Sequence, residues 1–209
     1  MTDATTYRPG LEGVVAGESS ISRIDVERNR LIIRGYDLVD LTTHASFEEV
    51  AYLLLNGELP DREQLQVFDD TLRRERPLPE PLLEYLSKAP DSVHPMSLLR
   101  TVVSALSFWD PDAADNSPEA NVAKATRLLA KAPSILTAGY RLSQGREPVA
   151  PSDDLSTAGN LLYMLRGEEP AQHEQEAINV SLILYAEHGY NASAFAARVV
   201  TSTLSDLHS

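Results

Sequence analysis

The sequence predicts an all-α fold with one small β-hairpin near its start. Three observations lead there. Apolar residues recur at helical spacing along most of the chain. Helix-capping residues stand directly before these stretches, at Ser46, Asp61 and Ser117. Short β-branched runs around a polar turn occur near the start, where Ser20 to Asp25 and Leu31 to Arg34 flank Arg28-Asn29.

Residues 1 to 9 read as a flexible arm, followed by a glycine-flanked apolar lead-in from Gly10 to Ala16. After the hairpin, Gly35-Tyr36-Asp37 ends the second strand, and Asp37 caps a short helix over Leu38 to Leu41. Ser46-Phe47-Glu48-Glu49 is a capping box that opens a helix with Val50, Leu53 and Leu54 on one face, closed by Gly57. Asp61 caps the next, with Leu65, Phe68 and Leu72 at helical spacing. Pro77, Pro79 and Pro81 separate it from a short helix over Leu82 to Ser87. Pro95 occupies a first-turn position ahead of Met96, Leu99, Val102, Val103 and Leu106. That helix is apolar over more than one face, which implies a central position in the domain or a subunit interface. Ser117-Pro118 starts a helix ending near Lys131-Ala132, and Pro133 begins or kinks a further one that ends at Gly145. Leu155 to Leu165 is helical and stops at Gly167, and Glu174 opens the helix that leads to the segment of greatest interest.

The bulk numbers exclude several classes. The chain has 209 residues, 43% hydrophobic, with a formal net charge of -13. That charge repels nucleic acid and anionic membrane surfaces, so neither is expected as a partner. There is no cysteine, hence no disulfide framework and no thiolate chemistry. The polar start is no signal peptide and no apolar run reaches membrane-spanning length, so a cytoplasmic protein is expected.

Candidate chemistry concentrates between Asn179 and Ser209. An apolar helix over Val180 to Ala186, expected to be buried, delivers His188 to a Gly189-Tyr190-Asn191 break, after which a helix of small residues starts, capped by Asn191, and the helical pattern is expected to hold to Ser209. An imidazole, a backbone break and a helix N-terminus together suit a carbonyl or carboxylate ligand. Tyr185, three residues earlier, is expected on the same helix face as His188, while Glu187 is expected to point elsewhere. His44 and His173 read as solvated, and His94 as a structural hydrogen-bonding group at a helix start. No two histidines share metal-ligand spacing, so no metal site is expected. From spacing alone, His188 reads equally well as a satisfied core histidine.

The ordered stretches Gly10-Leu-Glu-Gly-Val-Val-Ala16, Leu31-Ile-Ile-Arg-Gly-Tyr-Asp37, Ser46-Phe-Glu-Glu-Val-Ala-Tyr-Leu-Leu54, His94-Pro-Met-Ser97, Leu155-Ser-Thr-Ala-Gly-Asn-Leu-Leu-Tyr-Met164 and Ala186-Glu-His-Gly-Tyr-Asn-Ala-Ser193 resemble the citrate synthase family, in its shorter bacterial and archaeal type that includes 2-methylcitrate synthases. The resemblance implies that residues 10–209 are the N-terminal part of a multi-helix large domain, without the small domain. It implies condensation of acetyl-CoA or propionyl-CoA with oxaloacetate, the acyl-CoA being a co-substrate and no cofactor being covalently bound. It further implies that His188, Asn191 and Ser193 contact oxaloacetate, and that Arg141 lies near the CoA phosphates. The family's catalytic histidine and aspartate match no position here, so the chain alone is expected to be inactive. A homodimer through large-domain helices is expected, as is a C-terminal half supplied separately. Tyr185 stands where the family usually has histidine, and Ala194 where threonine is common. An alternative reading is a non-catalytic helical module for dimerisation or binding. Either way, apolar surface around His188 and the last helix is expected to be bare or covered by another copy.

Overall fold

The computed structural model describes residues 13–15 and 17–209. The arm expected over residues 1–9 lies outside the described residues, as do Gly10, Leu11, Glu12 and Ala16 of the lead-in.

Strands β1 (Ser22–Asp25) and β2 (Arg30–Ile33) form the expected antiparallel hairpin, with Ser22 opposite Ile33 and Ile24 opposite Leu31. The chain does not leave the sheet at Gly35. Arg34 and Gly35 both take positive φ, and this tight reversal lets β3 (Tyr36–Asp37) pair back onto β2, so the hairpin becomes a three-stranded sheet. Ile33 is fully buried and joins the sheet to the helical core.

The helices follow the caps. Asp37 accepts from the Val39 N–H and starts α1 (Leu38–His44), longer than expected. Ser46 and Glu49 close a reciprocal capping box on α2 (Phe47–Asn56), as Asp61 and Gln64 do on α3 (Arg62–Glu75). Then come α4 (Glu80–Leu86) and α5 (Pro95–Ala105), the latter extended by a 3-10 turn over Leu106–Phe108. The His94 ring accepts from the Met96 N–H at 3.2 Å, the structural role expected of it. In α5, Leu98 and Val102 are buried while Met96 is exposed, so the helix contributes one face to the core.

The largest departure is α6 (Pro118–Ser143), one continuous helix where the sequence suggested a break at Lys131-Ala132. Proline inside a helix costs about 3 kcal/mol. The packing on either side of Pro133 outweighs that cost. Ala130 belongs to one core cluster with Val50, Leu53, Phe68, Leu72 and Ile183, and Ile135 and Ala138 to another with Leu82, Leu98 and Val102. Ser134 also donates to the Arg76 carbonyl at 2.8 Å. Helix α6 is therefore the rod that spans both clusters. At its crossing with α5, a Cβ added at Gly139 would lie 2.9 Å from both Leu98 methyls. Gly139→Val is expected to destabilise the chain by about 1–3 kcal/mol in urea unfolding.

Residues 144–156 lead into α7 (Thr157–Arg166), followed by α8 (Gln172–Ala186) and α9 (Ala192–Thr201). Two expectations about this end need correction. Helix α8 is not sealed in the core, since only Ile183 is fully buried, because just one of its faces meets α1, α2 and α7. Nor does the chain end in helix. Helix α9 stops at Thr201, Leu204 takes positive φ, and His208 turns back to bury its ring against the 3-10 corner. There its Nδ1 lies 3.1 Å from the Val103 carbonyl and its Nε2 3.3 Å from Asp110. Helix α9 carries exposed Phe195, Val199 and Val200, so within the single chain apolar surface is present at the last helix. Among the described residues, no helix is long and apolar enough to cross a membrane.

Asp110 is the centre of a polar knot. Arg127 donates to both its oxygens, at 2.9 and 2.6 Å, and the Asp112 N–H adds a bond at 2.9 Å. Burial opposes ionisation of this carboxyl, but the hydrogen bonds outweigh burial and hold its pKa below the ordinary carboxylate value. Its stabilising contribution is thus fully present above the unfolded pKa, about 4, and is lost as pH falls through the lower folded value. Arg127→Met is expected to shift the acid-unfolding midpoint to higher pH. A circular dichroism titration showing the same midpoint in both chains would contradict this.

Candidate functional site

The site forms where α8 runs out. The helix ends at Ala186, and Glu187 takes an extended backbone, φ -156 and ψ 140. His188 therefore stands beyond the helix rather than on it, and the shared helical face expected for Tyr185 and His188 does not exist. Tyr185 is 84% exposed. Gly189 follows at φ 95, a left-handed conformation that disfavours a side chain. Asn191 then caps α9, its Oδ1 accepting from the Ala194 N–H at 2.9 Å and its Nδ2 reaching the Gly189 carbonyl at 3.4 Å.

His188 is exposed, which removes the core-histidine reading, and it lines an open cavity of about 730 Å³. The opposite walls come from the other end of the sequence: the β1–β2 hairpin and the start of α1. Ile24, Leu31, Leu38 and Val39 give apolar surface; Asp25, Arg28, Arg30, Asp37 and Asp40 give charge. The size suits a small-molecule ligand. Arg28 pairs with Asp25 at 3.2 Å and Arg30 with Asp37 at 3.3 Å. Both guanidinium groups are largely exposed, and exposed pairs contribute little, so they hold their partners loosely. The lining carries three carboxylates against two guanidiniums, so a bound anion would need further cations.

Ser193 is exposed on the first turn of α9, beside the His188 break. Asn191 and Ser193 do not line the cavity, and neither does Arg141. Its guanidinium joins the ends of α6 and α7, donating to the carbonyls of Glu147 at 2.6 Å and Leu165 at 3.2 Å. Three of the expected site residues are thus gathered at the α8–α9 break, and the fourth is elsewhere, engaged with backbone. Glu187 was expected only to point elsewhere, and its bonds were passed over. Its Oε1 accepts from Ser22 Oγ at 3.1 Å and from the Gly189 N–H at 2.6 Å. The hairpin walls were passed over as well. No local pattern signals either, because the groups that meet are separated by about the length of the chain. Among the described residues, no cluster of three or more acids and histidines could hold a metal ion.

Comparison with known proteins agrees with this architecture. The sequence model described as "Citrate synthase, C-terminal domain" matches residues 10–209. The chain is 47% identical over 205 residues to citrate synthase 2 of Bacillus subtilis, covering 98% of this chain and 55% of that protein. It is 45% identical to the 2-methylcitrate synthase of Mycobacterium tuberculosis, covering 97% and 51%. The crystal structure of citrate synthase from Pyrobaculum aerophilum superposes with a TM-score of 0.91 at 38% identity, covering 96% of this chain and 52% of that one. The chain spans about half the length of the curated relatives it matches.

Proposed function

Because the chain belongs to the citrate synthase family, we propose that it forms the oxaloacetate-holding side of a condensing cleft whose acid-base groups lie in sequence outside it. The observation that carries this reading is the placement of His188: exposed, beyond the helix end, and facing an open cavity rather than the core.

In this reading the His188 imidazole donates to the ketone or a carboxylate of oxaloacetate. Ser193, exposed on the first turn of α9, offers a hydroxyl, and the α9 N-terminus contributes a favourable dipole for the anion. Asn191 contributes chiefly by capping α9. Arg141 would have to release the carbonyls of Glu147 and Leu165 to reach a CoA phosphate. The acyl-CoA partner, acetyl or propionyl, is activated by removal of a proton next to its thioester carbonyl, and the resulting enol attacks the ketone. That step needs a base aimed at the donor's methyl or methylene carbon; in this reading it belongs, with the family's catalytic histidine and aspartate, to sequence outside the chain. The chain alone is accordingly inactive, and the charge balance of the lining agrees, since the cations that fix a dicarboxylate are also incomplete. The working unit is a cytoplasmic homodimer, joined through helices of this half, in which the remaining half closes the cleft.

The experiment is a titration of the 209-residue chain with oxaloacetate, followed by NMR at the His188 ring. A saturable shift centred on His188, with an affinity on the order of millimolar, is expected for half a site. No response at His188, or a response centred elsewhere, would overturn the reading.

A further inference from the structure

We propose that Glu187 is the positioning residue of the His188 site, fastening the loop that carries the imidazole to strand β1 of the N-terminal sheet. This rests on the reading of His188 as the ligand-holding histidine. The need for such a residue follows from the backbone. Helix α8 has ended at Ala186, so no intrahelical bond orients the ring. His188 is exposed, so no core packing orients it either. Its direction is set by residues 187–189.

Those residues are held from one side. The Glu187 carboxylate uses a single oxygen for two bonds, from the Gly189 N–H at 2.6 Å and from Ser22 Oγ at 3.1 Å. The first closes the loop on itself and the second ties it to β1. Ser22 and Ile24 lie on the same face of that strand. Ile24 reaches the loop too: a Cβ added to buried Gly189 would come within 3.2 Å of its Cδ1. The loop therefore rests on β1 at two points, polar at Glu187 and apolar at Gly189. Ser22 in turn pairs with Ile33, the fully buried residue of the sheet. The tether thus ends on the best-anchored part of the hairpin. Glu187 acts through backbone and hydroxyl, since both its bonds go to groups other than the imidazole.

The test uses the 209-residue chain without ligand and reads Gly189 amide exchange and the His188 Cε1–Hε1 resonance. Glu187→Ala removes the acceptor. It is expected to speed Gly189 exchange by about 10-fold and to move the His188 resonance toward its free-peptide position, with the thermal midpoint little changed. Glu187→Gln keeps a carbonyl oxygen in the same place without the charge and is expected to restore both readouts. Ser22→Ala is expected to move the His188 resonance while leaving Gly189 protected. Unchanged exchange and resonance in Glu187→Ala would overturn the proposal, as would Glu187→Gln behaving like Glu187→Ala. Should these effects appear while oxaloacetate leaves His188 unmoved in the parent chain, the positioning role stands and the ligand assignment fails.

Discussion

Arg76→Ala is expected to lower the unfolding free energy by about 3–5 kcal/mol, read as a shift in the urea midpoint. Arg76 follows α3 and is 2% exposed. Its Nη1 donates to the carbonyls of Ser152 and Leu155, at 2.7 and 2.9 Å, and so holds the loop that leads into α7. Burial, reinforced by the neighbouring Arg73 cation, lowers its pKa, while Asp69, Glu48 and Asp153 act in the opposite direction. An arginine still keeps its proton in such a place. Removing the side chain strands two carbonyls and leaves the buried Glu48 carboxylate with less compensation. Glu48 meanwhile accepts from the Thr157 N–H at 2.7 Å, at the first turn of α7. Cation and anion thus clamp the same joint, and α7 packs on α8, the helix that delivers His188. A loss below about 1 kcal/mol would show that the guanidinium's desolvation cancels its bonds.

His188→Ala is expected to reduce kcat/KM for oxaloacetate by about 10–100-fold once the missing half is supplied, with no loss of stability. A hydrogen bond to a charged group contributes about 1.5–3 kcal/mol, and each 1.36 kcal/mol is tenfold in rate. The side chain is exposed, so truncation creates no cavity. His188→Gln keeps a donor and is expected to fall between the two. A variant as active as the parent would remove His188 from the site, whatever the fold.

Much of this fold was legible because helix starts are written locally. Asp37, Ser46, Asp61, Ser117 and Asn191 each cap the helix that follows, and each cap closes within three residues. The continuity of α6 was not legible, because Pro133 is a local stop signal overridden by core contacts with distant helices. The third strand was missed because Arg34, a non-glycine residue, adopts positive φ. At the site, His188 and the Asn191 cap could be read from one short segment. The cavity walls, the Glu187–Ser22 bond and the burial of His208 could not, since each joins residues far apart in sequence. Arg141 shows the converse: a cation in a suggestive place whose donors the backbone had already taken.

The most direct measurement joins this chain in frame to the part of the Bacillus subtilis relative that it does not cover, and follows thiol release from acetyl-CoA and from propionyl-CoA. Oxaloacetate-dependent release by the joined protein, and none by the 209-residue chain, is the predicted result. A folded joined protein that releases no thiol with either donor, or a 209-residue chain that turns over unaided, would contradict it.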